Sequence, residues 1–474
     1  MQTALAIGLV IFFALMVGIS LWASKRIHTG EDFIVAGRGL SGIMTTATIM
    51  ATWYAAETIL VTADTVRTDG IQITVLEPIG IGLCLMLAGF VFARRLWDTK
   101  LLTLADVIGS RFGSVAEKLQ AFVSISYIGW VGVQLLGLAG VFNVFFDLPI
   151  FWGVVILAVV LTAYTLIGGM WSVAMTDIVQ LSLLLIGVVI LTLRLLAELG
   201  GGPLSGLASL FDQLDAELLV FVPTESRESL IAWVGLIVIG VFANVATQDL
   251  VQRMFSARSA RTAARSCIWA GGLYMFFGAF PVLLGLAGSI LLEPTVIQGV
   301  IPALAELLLS PTMAVIFALT LTAAVTSSVD SGLLAPASVV AKNILGPILK
   351  DRVELITLTR YCVVGIAIAS AGMALSGTRA FELIQGTYAI TLPSFVVLLA
   401  ALYQKETHHL PGVLTLASGI GLWFYEIGSN ITASDNDGEV LSPGFPIIQM
   451  ALSIAVYGVT DWLVRRYGSQ SQNT

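Results

Sequence analysis

The sequence predicts an all-α integral membrane protein, and three observations predict it. Of the 474 residues, 57% are hydrophobic and only 11% are charged, where a soluble globular chain carries about 25% charged residues. The apolar residues fall into thirteen runs, at 4–24, 41–66, 71–93, 116–141, 148–170, 173–198, 229–252, 267–292, 311–341, 354–377, 380–404, 410–428 and 444–464, each near the ~20 residues that a helical span needs. The basic residues are also segregated by side. With the N-terminus outside, the outer side keeps only Arg67, Arg194, Arg227 and Arg379, which leaves 19 of the 23 Lys and Arg for inner loops and inner helix ends. Positive residues accumulate on the cytoplasmic side, so the C-terminus is expected in the cytoplasm. The expected location is the plasma membrane, for a bacterial host the inner membrane.

Taken in order, the runs differ in what they carry. Run 4–24 lacks a basic leader and a small-residue cleavage site, and Lys25 and Arg26 follow it. It reads as a retained first span and not as a signal peptide. The second run contains MATWYAAETILVTAD, with Thr52, Trp53, Tyr54, Glu57 and Thr58 at its centre. An acid at membrane depth must be paired, protonated or turned to a wet cavity. The third run places Glu77 directly before Pro78. Tyr127 and Trp130 in the fourth read as packing or interfacial residues. Between the fifth and sixth runs, Gly168 and Gly169 permit a tight turn, after which Asp177 enters an apolar helix. Asp177 complements the helix dipole or binds a cation. The connector at 199–228 is punctuated by Gly and Pro and is not a domain. The seventh run holds Asn244, Thr247, Gln248 and Asp249; the eleventh holds IQGTYAITLP, whose Gly-to-Pro stretch predicts a break. Asn244 and Gln385 read equally as interhelical hydrogen bonds or solute contacts.

The ninth run is the most distinctive. Residues 322–331 read TAAVTSSVDS, five hydroxyls and one carboxylate in ten residues. On a helix, Ala324, Ser327, Ser328 and Ser331 share one face, with Asp330 beside it. Such a patch of oxygens, with no soft ligand, suits a hard cation such as Na⁺. Elsewhere the chemistry is sparse. Cys84, Cys267 and Cys362 lie far apart, and His28, His408 and His409 fall at helix ends or loops. No nucleophile–base pair stands at a recognisable spacing, so no enzyme is expected. With no P-loop and no attached soluble module, any transport would have to draw on an ion gradient.

Together these stretches resemble the sodium/solute symporter family across nearly the whole chain. The resemblance is carried by DFIVAGRGL at 32–40, LLTLADVIGSRFG, YTLIGGMWSVAMTD and TAAVTSSVDS. It implies an inverted-repeat fold of five plus five helices, broken at the midplane, as one transporter domain over 1–474. The repeats would cover 41–198 and 229–404, with 1–24 and 410–464 peripheral. It implies a Na⁺ site formed by the carbonyls of Ala51, Tyr54 and Ala324 and the hydroxyls of Ser327 and Ser328. A second cation would lie at Asp177, Ser327, Asp330 and Ser331. Here the chain departs from the family, because Asp330 replaces an expected serine; either the second cation is held more tightly or Asp330 holds a proton. For the solute the resemblance points to Glu57, Glu77 and Gln385, with Trp53 in place of an asparagine and Thr58 nearby.

The function expected is Na⁺-driven import of a small organic solute that is neutral, zwitterionic or amine-bearing, such as an amino acid or a sugar-like molecule. Alternatives are proton-coupled symport through Asp177 and Asp330, or a solute receptor without turnover. The expected partners are the solute, one or two Na⁺ or a proton, and the lipid bilayer, with neither nucleic acid nor an obligate protein partner.

Overall fold

The computed structural model describes residues 2–55, 57–296, 299–350, 352–377, 380–432 and 441–467. Among them, eleven helical stretches are long and apolar enough to cross a membrane. The expected thirteen are not reproduced, and the shortfall falls where the chain departs from a straight helix. Run 41–66 is split. Ser41 caps the helix Gly42–Trp53, only 12 residues long, which ends at Tyr54 with φ −86° and ψ 76°. The chain resumes as a π-turn at Glu57–Val61 and the helix Thr62–Asp69. Run 148–170 yields the shorter apolar stretch Ile150–Ala163.

The helical segment Ile150–Gly200 has 51 residues. At 1.5 Å per residue it would be about 75 Å long, more than twice the ~30 Å hydrocarbon core. It is two helices, because Gly169 breaks it at φ 49°, ψ −157°. A Cβ on Gly169 would stand 2.5 Å from the carbonyl oxygen of Phe33. The expected tight turn between the fifth and sixth runs is therefore a one-residue kink, set by a close backbone approach.

Two further helices are discontinuous. Arg227–Phe242 passes through a 3₁₀ turn at Ala243–Ala246 and an extended Thr247 into Gln248–Ser256. Ala380–Ala389 and Leu392–Tyr403 are separated at Ile390 and Thr391, within the predicted Gly-to-Pro stretch. The serine-rich helix Pro311–Val339 is the axis of the bundle. It is buried without interruption over 320–339, and it packs against Ile150–Gly200, Tyr127–Phe146, Gly42–Trp53 and Gln248–Ser256. In the most apolar 18 residues of Thr3–Ser24 and of Phe445–Tyr467 only 22% and 17% are buried within the protein, against 78% in those of Pro311–Leu349, so they lie at its edge.

Gly169→Ala is expected to destabilise the fold by about 1–3 kcal/mol, the cost of a non-glycine residue in a sparsely allowed backbone region. Gly365→Ala, with nothing within 4 Å of its Cβ, is expected to leave the melt unchanged. Thermal melts of the detergent-purified variants compare the two.

Candidate functional site

Where Gly42–Trp53 ends, its last carbonyls have no helical partner, and the serine-rich helix supplies one. Ser327 Oγ donates to Ala324 O at 2.7 Å and lies 2.9 Å from Ala51 O. Ser328 Oγ donates to Thr52 O at 2.8 Å, and lies 3.4 Å from Ala51 O and 3.3 Å from Ala324 O. All these residues are buried. Ala51, Ala324, Ser327 and Ser328 thus come together. Tyr54 marks the break, and its phenol donates to Phe277 O at 2.8 Å. Thr52, for which no ligand role was expected, contributes a carbonyl. The cluster is all oxygen, and the carbonyl lone pairs that accept hydroxyls here are those a hard cation requires.

One turn further along, Asp177, Asp330 and Ser331 are buried close to one another. Thr48 donates to one carboxylate oxygen of Asp177, and the other, Oδ1, is buried without a hydrogen-bond partner. An unsatisfied buried acceptor calls for an explanation. Ser331 Oγ donates to Ser327 O at 2.8 Å and lies 3.1 Å from Thr52 Oγ1 and 3.3 Å from Asp330 Oδ1. The sequence reading missed Arg253, which it counted among the basic residues of inner loops and helix ends. Arg253 is 1% exposed, inside a short helix buried at every position. Its guanidinium donates to Thr48 O at 3.1 Å, Asp249 O at 2.9 Å and Ser331 Oγ at 2.5 Å. A fixed positive charge therefore stands among the two acids. With both carboxylates ionised, the group carries one net negative charge, which one monovalent cation would neutralise.

Beside these oxygens lies a narrow cavity of about 10 Å³, lined by Trp53, Tyr127, Trp130, Tyr274 and Tyr388 together with Glu57, Glu77, Ile81 and Asn244. Its acids hold its rings by their polar edges. Trp130 Nε1 donates to Glu57 Oε1 at 2.8 Å, and Gln134 donates to the other oxygen. Tyr274 OH donates to Glu77 Oε2 at 2.5 Å. Asp249, behind the wall, accepts from Trp53 Nε1 and Tyr127 OH, both at 2.6 Å. The rings of Tyr127 and Trp130 are 5.2 Å apart. Among the described residues, no Lys, Arg or His lines the cavity. A second narrow cavity, also of about 10 Å³, shares Glu57 and Glu77 and is otherwise lined by Val61, Thr62, Thr65, Ile73, Leu76 and Ile384.

Trp53, Glu57 and Glu77 line the cavity, but two other expected solute contacts do not. Thr58 sits behind it, its hydroxyl 3.0 Å from Trp53 O and bonded to Tyr274 OH. Gln385 is half-buried and outside both linings, and Tyr388, three residues on, faces the cavity instead. Tyr127 and Trp130, read as packing, and Tyr274, not singled out, are walls. A usable signal was present: each carries a polar atom that must find an acceptor at membrane depth, and Glu57, Glu77 and Asp249 are the acids available.

Discontinuous helices that expose backbone oxygens next to an occluded pocket define a secondary transporter. The chain belongs to the sodium:solute symporter family, which matches residues 33–433. It is thus a multi-pass membrane transporter and not an enzyme, of the class that couples Na⁺ to the movement of a small solute. Among its relatives, a high-affinity choline transporter of Drosophila melanogaster is 26% identical over 78% of this chain and 62% of its own length. A high-affinity choline transporter of Homo sapiens is 25% identical over 88% of this chain and 75% of its own. The substrate-bound, outward-open structure of a Na⁺-coupled sialic acid symporter superposes with a TM-score of 0.78 at 18% identity, over 98% of both chains. A nucleobase-cation-symport-1 family transporter in a closed conformation gives 0.58 at 12% identity, over 92% of this chain and 95% of that one. The fold is therefore the inverted-repeat transporter fold.

Tyr274→Phe removes the donor that holds Glu77. A hydrogen bond to a charged group contributes about 1.5–3 kcal/mol, so the variant is expected to melt several degrees lower than wild type in solute-free buffer, as differential scanning fluorimetry would record.

Proposed function

We propose that this protein imports a small organic cation of the quaternary or tertiary ammonium type, driven by an inward Na⁺ gradient. The observation that carries this reading is the cavity wall, which among the described residues has five aromatic residues and two carboxylates and no basic residue. Ring faces attract cations, and desolvated cation–π contacts are worth about 2 kcal/mol or more. Trp53, Tyr127, Trp130 and Tyr274 commit their donors to acids, and Asn244 Nδ2, buried without a hydrogen-bond partner, is left to meet a solute oxygen. The names of the relatives point the same way, since both are choline transporters. Among the solute types open at the sequence level, the amine-bearing one is therefore preferred.

In this reading Na⁺ binds among Ala51, Tyr54, Ala324, Ser327 and Ser328, with Thr52 as a further carbonyl. It ties the broken helix to the serine-rich helix and so completes the pocket whose wall includes Trp53. Coupling requires that Na⁺ favour the state that binds solute, and a ligand held by both helices does so only when they are together. A second monovalent cation, Na⁺ or a proton, would sit at Asp177 and Asp330 with Ser331. The N-terminus would lie outside and the C-terminus in the cytoplasm, and the two repeats would run over 41–198 and 229–404.

In proteoliposomes an inward Na⁺ gradient is expected to drive radiolabelled choline uptake that a K⁺ gradient does not. Unlabelled tetramethylammonium should compete, and the uncharged choline isostere 3,3-dimethylbutan-1-ol should compete at least about tenfold more weakly, given the size of a desolvated cation–π contact. Equal competition by the isostere would remove the organic-cation reading. Separately, NaCl but not KCl should raise the melting temperature of wild type, since a ligand that binds only the folded state stabilises it, and Ser327→Ala should abolish the rise. Uptake that persists unchanged without Na⁺ and follows a pH gradient would replace Na⁺ with H⁺.

A further inference from the structure

Asp249 is a buried acid that neither lines the cavity nor contacts the oxygens at Ser327 and Ser328. Both of its carboxylate oxygens are engaged by cavity walls from two different helices. Oδ2 accepts from Trp53 Nε1 at the end of Gly42–Trp53, and Oδ1 accepts from Tyr127 OH at the start of Tyr127–Phe146. Its backbone oxygen accepts from Arg253 on the same short helix, and Arg253 also grips Thr48 O and Ser331 Oγ. Thr48 in turn donates to Asp177. An unbroken run of hydrogen bonds thus connects two walls of the cavity to the deeper oxygens.

We propose that Asp249 is a positioning residue for solute binding, one that sets the faces of Trp53 and Tyr127 toward the cavity and, through Arg253, makes their setting depend on cation occupancy. The proposal rests on Na⁺-coupled symport through this cavity. An anion bonded to an indole N–H or a phenol O–H also pushes electron density into the ring, so both faces become better partners for a cation. A carboxylate is needed because it accepts at both oxygens. An asparagine would present one oxygen and turn its NH₂ toward the other donor, which releases one of the two rings. The charge that attracts the solute is in this way delivered through the rings, and no solute N–H is required.

The test uses full-length Asp249→Asn and Tyr127→Phe, with Tyr127→Phe keeping the acid in case Asp249→Asn does not fold. In Na⁺-driven choline uptake, KM for choline is expected to rise about tenfold in Asp249→Asn, in keeping with a lost hydrogen bond to a charged group, and by less in Tyr127→Phe. Vmax and the Na⁺-dependent rise in melting temperature should be retained. The factor by which saturating Na⁺ tightens choline binding should fall toward one. An unchanged KM, or a fall in Vmax and protein yield alone, would overturn the proposal. A second arm needs no solute. The Na⁺-induced change in Trp53 fluorescence, taken as the difference between wild type and Trp53→Phe, should be present in the native chain and lost with Asp249→Asn. Its absence from wild type, or its survival in the variant, overturns the link to the cation. If wild type does not carry choline but the Na⁺ signal at Trp53 depends on Asp249, the link stands and the organic-cation reading falls.

Discussion

A helix that ends halfway through a bilayer leaves carbonyls with no water to satisfy them, and this constraint organises the centre of the molecule. The unpaired carbonyls near the end of Gly42–Trp53 can be met only by protein donors or by an ion. The serine-rich helix is placed so that the hydroxyls of Ser327 and Ser328 point at Ala51, Thr52 and Ala324. Its burial over 320–339 follows from that duty, since a helix that repairs another's break must lie against it. The second break, at Ala243–Ala246, brings the short helix carrying Asp249 and Arg253 into the same space.

The acids are placed by the same logic. A carboxylate at membrane depth is costly unless hydrogen-bonded, and here the bonds come from aromatic rings. Glu57 has Trp130 and Gln134, Glu77 has Tyr274, and Asp249 has Trp53 and Tyr127. Rings and acids are therefore one construction. Trp53, Tyr127, Trp130 and Tyr274 are each oriented by the acid at their polar edge, and Glu57, Glu77 and Asp249 are stabilised by the rings they orient.

Much of the central cluster was legible because it is local. Ser327, Ser328 and Ala324 share a helix face by period alone, and the MATWYAAE stretch signals a break through its polar centre. The aromatic wall was legible only in part: the polar atoms of Tyr274 and Trp130 call for acceptors at membrane depth, but which acid meets which ring is not written in the residues around them. Its function depends on helices far apart in sequence, as when Tyr274 meets Glu77. Arg253 was misplaced for a related reason. A basic residue at the end of an apolar run reads as a loop anchor, and only the fold shows that this run is broken and its last turn buried. Thirteen spans became eleven candidate stretches for the same cause, since hydropathy measures length and the broken helix at Gly42–Trp53 is short.

The two cavities share a wall. Glu57 and Glu77 border both the ring-lined space and the more aliphatic one beside it. A positively charged guest moving from one chamber to the other would keep the same pair of counter-charges at its side throughout. Among the described residues, rings line one chamber only, so for the proposed organic cation the rings, and not the acids, would decide which chamber holds it.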